Sequence, residues 1–318
     1  MMLAAIALAS ALAGPVAPAH GTVLANSGST TIVRMDAITG MAPAKTRTLV
    51  LDPRRLFPPG TGIDGYAYPA DAPRRLLDVV AAGPFTPGLP DRAKTTPLDV
   101  SSILPPLMMV DENGHFTRLD SWRGKIVVLS FIFTRCPDRD LCPLISAKFA
   151  HLQQLVDPKT THLVEITLDP VYDSPAVLRA YQKQFGADPT RWTMLTTTGS
   201  STQHLLNGFG ISSLRISPAN FTHDDSLFII GKDARVLEII TTAGWNPSDV
   251  AAEVANINGI ASNPLERVRL SLIASVVALC GGSQFTGVVL LELALFTIIL
   301  VAVIWGLVAV GRILKSNR

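Results

Sequence analysis

The sequence predicts an α/β domain that is preceded by a Pro/Gly-rich, partly β segment and followed by a transmembrane helix. Between residues 106 and 262, apolar runs of strand length alternate with segments whose apolar residues recur at helical spacing. Pro and Gly are frequent before this region, and residues 293–310 after it carry no charge. Of the 318 residues, 48% are hydrophobic and only 16% are charged, which is too apolar for a wholly soluble protein.

Charge and cysteine content exclude several classes of protein. The net charge is +2 and no run of Lys or Arg exceeds two residues, whereas a nucleic-acid binder needs clustered cations. The 23 Gly and 23 Pro show no period, which excludes collagen-like and solenoid repeats. Three cysteines are too few for a disulfide scaffold, so we expect any pair among them to form a site.

The first 19 residues have the features of a signal peptide. An apolar run precedes the small-residue pattern Ala17-Pro18-Ala19, which predicts cleavage before His20. No Lys or Arg stands before the apolar run, so an apolar N-terminal helix of a cytosolic protein is the alternative. We favour export, with a signal peptide over residues 1–19.

The C-terminal sequence predicts a single transmembrane helix over residues 288–311. At about 1.5 Å per residue, the uncharged stretch crosses most of a hydrocarbon core about 30 Å thick. The tail 312–318 is basic and by the positive-inside rule stays in the cytoplasm, which leaves the preceding chain outside. The apolar stretch within 263–287 is too short to span. It predicts a juxtamembrane helix in which Cys280 is a small buried apolar residue.

The segment 20–105 contains two short β-type stretches, Thr30–Met35 and Thr46–Leu51, among turn-forming residues. Both a small β module and an extended arm fit this pattern. Within it, Asp36–Thr46 resembles a Met-rich copper-binding stretch of periplasmic proteins. It keeps only Met41, and Lys45 stands where a thioether would be expected.

A regular succession of predicted strands and helices begins at Leu107 with a hairpin that has Asn-Gly at its tip. A continuous apolar run, Ile126–Phe133, predicts a buried central strand, and Pro143 predicts the first turn of a helix that continues to Val156. The later elements are strand Leu163–Leu168, helix Pro175–Phe185, strand Trp192–Leu195, helix Ser201–Phe209, hairpin strands Leu227–Ile230 and Val236–Ile240, and helix Asn246–Ile257. This is the thioredoxin-like order, and it predicts a thioredoxin-like domain over residues 106–262.

Cys136 and Cys142 stand where the first central strand meets its helix. Backbone N–H groups at a helix N-terminus favour a thiolate, which predicts a lowered pKa for Cys142. Two neighbouring thiolates suit a soft metal such as Cu(I) or Zn²⁺, or reversible disulfide chemistry. The five residues between them exceed the two of a thioredoxin-type pair, which weakens the oxidoreductase interpretation. A plain stabilising disulfide is the third interpretation.

Imidazole is a common third ligand of soft metals, and His223 is the best placed of the six histidines. It directly precedes the hairpin Leu227–Ile240, and in a thioredoxin-like topology that loop lies beside the cysteine loop. His20 would become the mature N-terminus after cleavage. Residues expected at the surface are His115, His151, His162 and His204.

Short sequence matches in a consistent order run from Leu107 to Ile257. They are Trp122–Lys125, Phe131–Pro137, Cys142-Pro143, Thr167–Pro170, Asp173–Pro175, Arg191–Leu195 and Thr222-His223. On these residues the chain resembles the SCO/SenC copper proteins, which serve copper delivery to cytochrome c oxidase. The resemblance implies that Cys136, Cys142 and His223 bind copper, as Cu(I) or Cu(II). It makes Asp169 a candidate weak outer ligand or support for the ligands, and a strand-end turn residue is the alternative. Five residues between the cysteines resemble a bacterial variant of the family.

The resemblance also implies a function and a location. The chain would be anchored in the bacterial inner membrane with its main domain in the periplasm, where it would deliver Cu(I) to a cytochrome c oxidase subunit. Other periplasmic copper carriers or thiol reductants would be further partners. The alternative is a thiol–disulfide reductase, with Cys136 and Cys142 catalytic, that keeps the copper-site cysteines of the oxidase reduced. A metallochaperone is favoured over an enzyme. A peroxiredoxin-like peroxidase is weaker, because Thr134 stands two rather than three residues before Cys136.

Overall fold

The computed structural model describes residues 15–68, 75–82, 97–217 and 220–262, together with Trp305. The predicted transmembrane helix (apart from Trp305), the juxtamembrane segment, the basic tail, Cys280 and most of the predicted signal peptide lie outside the described residues. Within the described ranges, no helix is long and apolar enough to cross a membrane. The described residues up to Asn256 belong to one compact unit.

The first five strands close into a β-barrel. They are β1 (Ala17–Ser27), β2 (Thr30–Met35), β3 (Lys45–Asp52), β4 (Gly62–Ala67) and β5 (Arg75–Ala81). Their order around the barrel is β1-β2-β3-β5-β4, and the β3–β5 pair is parallel while the other neighbouring pairs run antiparallel. Fully buried aliphatic side chains fill the interior, among them Val23, Val33, Leu49, Ile63 and Leu76. The sequence allowed either a small β module or an extended arm here, and the structure has the β module. Strands β2 and β3 overlap the two predicted β-type stretches.

Strand β1 begins before the predicted cleavage point. Ala17 and Ala19 are buried and pair with residues of β4. Cleavage before His20 would remove the first three residues of a barrel strand. The small residues that resemble a cleavage pattern are here part of a crowded β-barrel. Close by on β4, a Cβ added to Gly65 would stand only 2.8 Å from the Cγ of Leu76.

The second half of the described chain builds a seven-stranded mixed sheet. Its strands are β6 (Met108–Asp111), β7 (Phe116–Arg118), β8 (Ile126–Ile132), β9 (Thr161–Thr167), β10 (Trp192–Thr196), β13 (Leu227–Ile230) and β14 (Val236–Ile240). Their order across the sheet is β14-β13-β8-β9-β10-β6-β7. Strands β8, β9 and β10 are parallel to one another, and every residue of these three strands is buried, as expected of central parallel strands. The helices are α1 (Cys142–Leu155), α2 (Pro175–Gln184), α3 (Gly199–Phe209) and α4 (Pro247–Ser262).

The mixed α/β class and the order of elements predicted for this region are confirmed, with shifts at the element ends. A short antiparallel hairpin, β11 (Ser213–Ser217) and β12 (Asn220–His223), is an addition that the sequence pattern did not predict. Its second strand ends at His223, so this histidine is held by a strand rather than by an open loop.

His162 is not the surface residue that the sequence predicts. It lies on the central strand β9, is only 4% exposed, and stacks on Trp122 with 4.7 Å between ring centroids. Its Nε2 is 2.9 Å from the hydroxyl of Thr193. Burial lowers the pKa of His162 to about 4, so the ring is neutral at physiological pH. Position on a central strand, rather than residue type, decided its burial.

Candidate metal centre

The loop that carries Cys136 and Cys142 connects strand β8 to helix α1. Cys142 is the first residue of α1 and is fully buried, whereas Cys136 is half-buried in the loop. Neither cysteine is in a disulfide. Pro143 lies in the first turn of the helix, where its lack of an N–H leaves no helical hydrogen bond unmade. The two thiols therefore meet at the boundary between a buried strand and a helix, as the sequence predicts.

The two thiols differ in pKa in the opposite sense to the prediction. The thiol and the backbone N–H of Cys142 both hydrogen-bond to the sulfur of Cys136, which lowers the pKa of Cys136 to about 6. The same hydrogen bond, together with burial, raises the pKa of Cys142. The prediction of a lowered pKa at Cys142 is therefore wrong. The N-terminus of α1 does favour a thiolate, but the backbone N–H of Cys142 stabilises the thiolate of Cys136 and not that of Cys142.

His223 is brought to the cysteines from a distant part of the chain. Its Nε2 lies 3.4 Å from the Sγ of Cys142, and its side chain is only 1% exposed. Its Nδ1 is 3.1 Å from the backbone oxygen of Asp224. Because a carbonyl oxygen only accepts, Nδ1 donates to it, and Nε2 is the ring nitrogen that faces the sulfur. The ring of Phe133 packs edge-on at 5.9 Å between centroids and helps to hold this orientation.

The donor set fits a soft metal ion. With the bond lengths usual for thiolate and imidazole ligands of Zn²⁺, about 2.3 Å and about 2.0 Å, a shared metal would hold the sulfur and the nitrogen about 3.5–3.8 Å apart. The Cys142–His223 separation of 3.4 Å is close to that value. Over the ranges that the structure covers, no three His, Cys, Asp or Glu side chains already stand as a complete metal-binding group. Cys136, hydrogen-bonded to Cys142, is the residue that would complete the site.

Asp169 contacts the residue before the first cysteine. It is fully buried, and one carboxylate oxygen accepts a hydrogen bond from the guanidinium of Arg135. The same guanidinium lies 3.9 Å from the centroid of the Tyr172 ring. Asp169 thus reaches Cys136 through Arg135, which suits a supporting role.

Asp173 is a site residue that the sequence analysis missed. It is fully buried, and one oxygen accepts a hydrogen bond from the backbone N–H of Thr134 at 3.0 Å. The hydroxyls of Thr134 and Thr167 also donate to it, each at 2.5 Å. Burial raises the pKa of Asp173 to about 6, against the effect of these donors. Asp173 stood among the matched residues, directly before a helix-starting Ser-Pro pair, but neither signal reveals a contact 39 residues away.

The other histidines with described contacts have partners elsewhere. His20 lies within β1, and its Nδ1 is 2.8 Å from a carboxylate oxygen of Asp64. That hydrogen bond raises the pKa of His20, and Asp36 adds to the effect. In the Met-rich-like stretch, Met41 packs against the barrel core. Among the described histidines that the sequence singled out, His223 is the one with a hydrogen bond to a cysteine.

Comparison with known proteins gives a family match over the α/β region. Residues 96–259 match the family described as SCO1/SenC. An SCO2-like protein of Rickettsia prowazekii is 26% identical over 141 residues, which span 42% of this chain and 66% of that protein. A protein of Stutzerimonas stutzeri named "Putative copper-binding protein" is 26% identical over 174 residues, which span 50% of this chain and 83% of the relative.

Among solved structures, copper-bound ScoI of Bradyrhizobium japonicum is 19% identical, with a TM-score of 0.44, and the alignment covers 49% of this chain and 99% of that one. The chain spans just under two thirds of the Rickettsia relative. The family match itself extends over slightly more than half of the chain and includes Cys136, Cys142, Asp169 and His223. This protein belongs to the SCO1/SenC family.

Proposed function

We propose that the chain binds one Cu(I) through Cys136, Cys142 and His223 and passes it to a subunit of cytochrome c oxidase during assembly. The observation that carries the proposal is the 3.4 Å contact between the Cys142 sulfur and the His223 Nε2. Two soft sulfur donors and an imidazole form a donor set that suits Cu(I). The Stutzerimonas stutzeri relative is named for copper binding, which supports the same cargo.

The exposure of the two sulfurs differs in a way that suits transfer of a metal ion. Cys142 is fully buried and His223 is held by its strand, whereas Cys136 is half-buried in a loop. An incoming ligand could therefore reach the metal on the Cys136 side. Three protein ligands leave one position open for such an exchange, whereas a closed four-ligand site would not.

The setting of this function is the periplasmic face of the bacterial inner membrane. The uncharged segment 293–310 and the basic tail after it support a single C-terminal anchor with the α/β domain outside. The partners would be the oxidase subunit that carries the copper site, and periplasmic copper carriers or thiol reductants that load or reduce the cysteines.

The experiment is an anaerobic Cu(I) titration of the full chain in detergent against a competing chelator, with all thiols reduced. The wild type should bind one tight copper ion per chain. His223→Ala should weaken binding by at least about tenfold, whereas the control His204→Ala, an exposed histidine on α3, should not. Full stoichiometry and affinity in Cys136→Ser would overturn the proposal.

A second candidate function is thiol–disulfide exchange, and the pKa of Cys136 favours it. With a pKa of about 6, Cys136 is mostly thiolate at neutral pH, and its sulfur is hydrogen-bonded to the Cys142 thiol. The Cys136 thiolate would attack a substrate disulfide and form a mixed disulfide. Cys142 would then displace the second substrate sulfur, which leaves the substrate with two thiols and this protein with a Cys136–Cys142 disulfide.

An external thiol reductant would restore the dithiol form in that cycle. The two functions separate at His223. His223→Ala should keep most of the rate at which the reduced protein reduces a peptide disulfide, while copper binding falls. If wild type and His223→Ala both fail to reduce the peptide disulfide, the exchange function is rejected.

A further inference from the structure

The β-barrel touches the α/β region beside the thiol loop. The hydroxyl of Ser174 donates a hydrogen bond to the backbone oxygen of Thr39, in the turn that follows β2. Next to it, a Cβ on Gly40 would stand 3.3 Å from the Cβ of Ala176, in the first turn of α2. The tip of this barrel turn thus contacts the N-terminus of α2.

The segment on which the turn is seated also supports the cysteines. Asp173 precedes Ser174 and accepts hydrogen bonds from the N–H and the hydroxyl of Thr134, two residues before Cys136. On the same segment, Asp169 binds Arg135, the residue next to Cys136. A displacement of this segment would therefore move the anchors of the thiol loop.

A second set of contacts fixes the barrel to α3. The Tyr66 hydroxyl lies 2.8 Å from the Thr197 hydroxyl, and both residues are buried. The Asp64 carboxylate accepts a hydrogen bond from the N–H of Ser200 at 2.9 Å. Tyr66 and Leu77 of the barrel, with Val16 directly before β1, form an apolar cluster with Val110 of β6. With two separate attachments, the barrel is oriented on the α/β region rather than free to rotate about one contact.

We propose that the β-barrel is a positioning domain for the thiol loop, and that it acts through the contact of Thr39 and Gly40 with the Ser174 end of α2. The barrel holds Ser174, Ser174 fixes its neighbour Asp173, and Asp173 holds Thr134 and hence Cys136. Ser174 is a positioning residue, since it acts on the thiols through Asp173 and Thr134. The inference extends the proposed function by giving the N-terminal domain a part in the same site.

The test is the equilibrium between the dithiol and the disulfide of Cys136 and Cys142, measured in the full chain with glutathione redox buffers. The supporting contacts are present with both cysteines free, so their loss should favour the disulfide. Ser174→Ala should shift the equilibrium constant towards the disulfide by about threefold to tenfold, a fall in potential of up to about 30 mV.

The matched control is Asn246→Ala. The Asn246 side chain, directly before α4, accepts a hydrogen bond from the N–H of Ser248 at 2.9 Å, as the Ser174 hydroxyl before α2 accepts one from the N–H of Val177 at 3.4 Å. Ser174→Ala removes a cap and the barrel contact, whereas Asn246→Ala removes a cap outside the barrel contacts described above. An equal shift in both variants, or no shift in a folded Ser174→Ala protein, would overturn the inference.

A second pair of variants keeps the result decisive if capping affects stability too strongly. Gly40→Leu places a side chain against α2, whereas Gly28→Leu has the same kind of positive φ with nothing within 4 Å of its Cβ. Gly40→Leu should shift the thiol equilibrium and Gly28→Leu should not, and the reverse result rejects the inference. Neither measurement needs copper, so a wild type that binds no copper would reject the proposed function and leave this result unaffected.

Discussion

The Nε2 of His223 lies 3.4 Å from the Sγ of Cys142, although the two residues are 81 positions apart in the chain. The contact joins the end of strand β12 to the start of helix α1. It turns a pair of cysteines, which alone would suit several chemistries, into a donor set of two sulfurs and one imidazole nitrogen. The properties of that set depend on the residues around it, and the contacts of the molecule lead to four predictions that can be measured.

The first prediction concerns the reactivity of Cys136. Its alkylation rate should rise with pH around a midpoint near 6 and level off by about pH 7, because the Cys142 thiol stabilises the Cys136 thiolate. In Cys142→Ala the midpoint should move towards the ordinary cysteine value of about 8.5. Iodoacetamide labelling followed by mass spectrometry measures both curves, with Cys136→Ser as the background. A wild-type midpoint above about 8 would contradict the structure.

The second prediction concerns Glu165, which is fully buried between Ser146 and Trp192. Burial raises the pKa of Glu165 to about 8. The folded state therefore binds the proton more tightly than the unfolded state does. The resulting stability is complete below the unfolded pKa of about 4.3 and is lost as the pH rises towards 8.

Glu165→Gln should remove this dependence, because an amide keeps one donor and one acceptor without a charge. Relative to the wild type, the free energy of unfolding of the variant should increase by about 3–4 kcal/mol between pH 5 and pH 8. Urea titrations at several pH values give both curves. Parallel curves would show that Glu165 does not carry this proton.

The third prediction concerns Arg135, whose guanidinium binds Asp169 and covers Tyr172. Arg135→Gln would leave the fully buried Asp169 carboxylate without this cation, which costs about 1–3 kcal/mol of folding free energy after allowance for the partial exposure of Arg135. The affinity for Cu(I) should also fall, since Arg135 adjoins Cys136. The control is Arg139→Gln, an exposed residue of the same loop. If both variants lose the same folding free energy and the same affinity for Cu(I), Arg135 does not support the site.

The fourth prediction concerns two tyrosines where the barrel meets the α/β region. Tyr66→Phe leaves the buried Thr197 hydroxyl without its partner and should reduce the free energy of unfolding by about 1–2 kcal/mol. The Tyr68 hydroxyl is buried and has no hydrogen-bond partner among the described residues. Tyr68→Phe should therefore be neutral or slightly stabilising. Denaturant unfolding compares them, and a larger loss at Tyr68 than at Tyr66 would refute the arrangement of this contact.

Local patterns in the sequence were sufficient for much of the α/β region. The apolar run that became β8, the Pro143 helix start and the Asn-Gly hairpin each encode their own conformation over a few residues. The positions of Cys136 and Cys142 at a strand–helix junction followed from the same patterns. The preference for His223 also came from the sequence, in part through the topology that the order of elements implied and mainly through the resemblance to the SCO/SenC proteins.

The tertiary structure decided what depends on contacts between distant residues. Strands β1 and β4 carry Gly, Pro or other small residues that weaken their local pattern, and closure of the barrel stabilises them. The proximity of the two sulfurs and the burial of one of them determined which cysteine has the low pKa. Asp173 anchors the thiol loop, and the barrel turn anchors α2. Both contacts join segments that are tens of residues apart in the chain. The periodicity of a single strand or helix carries no information about such pairs.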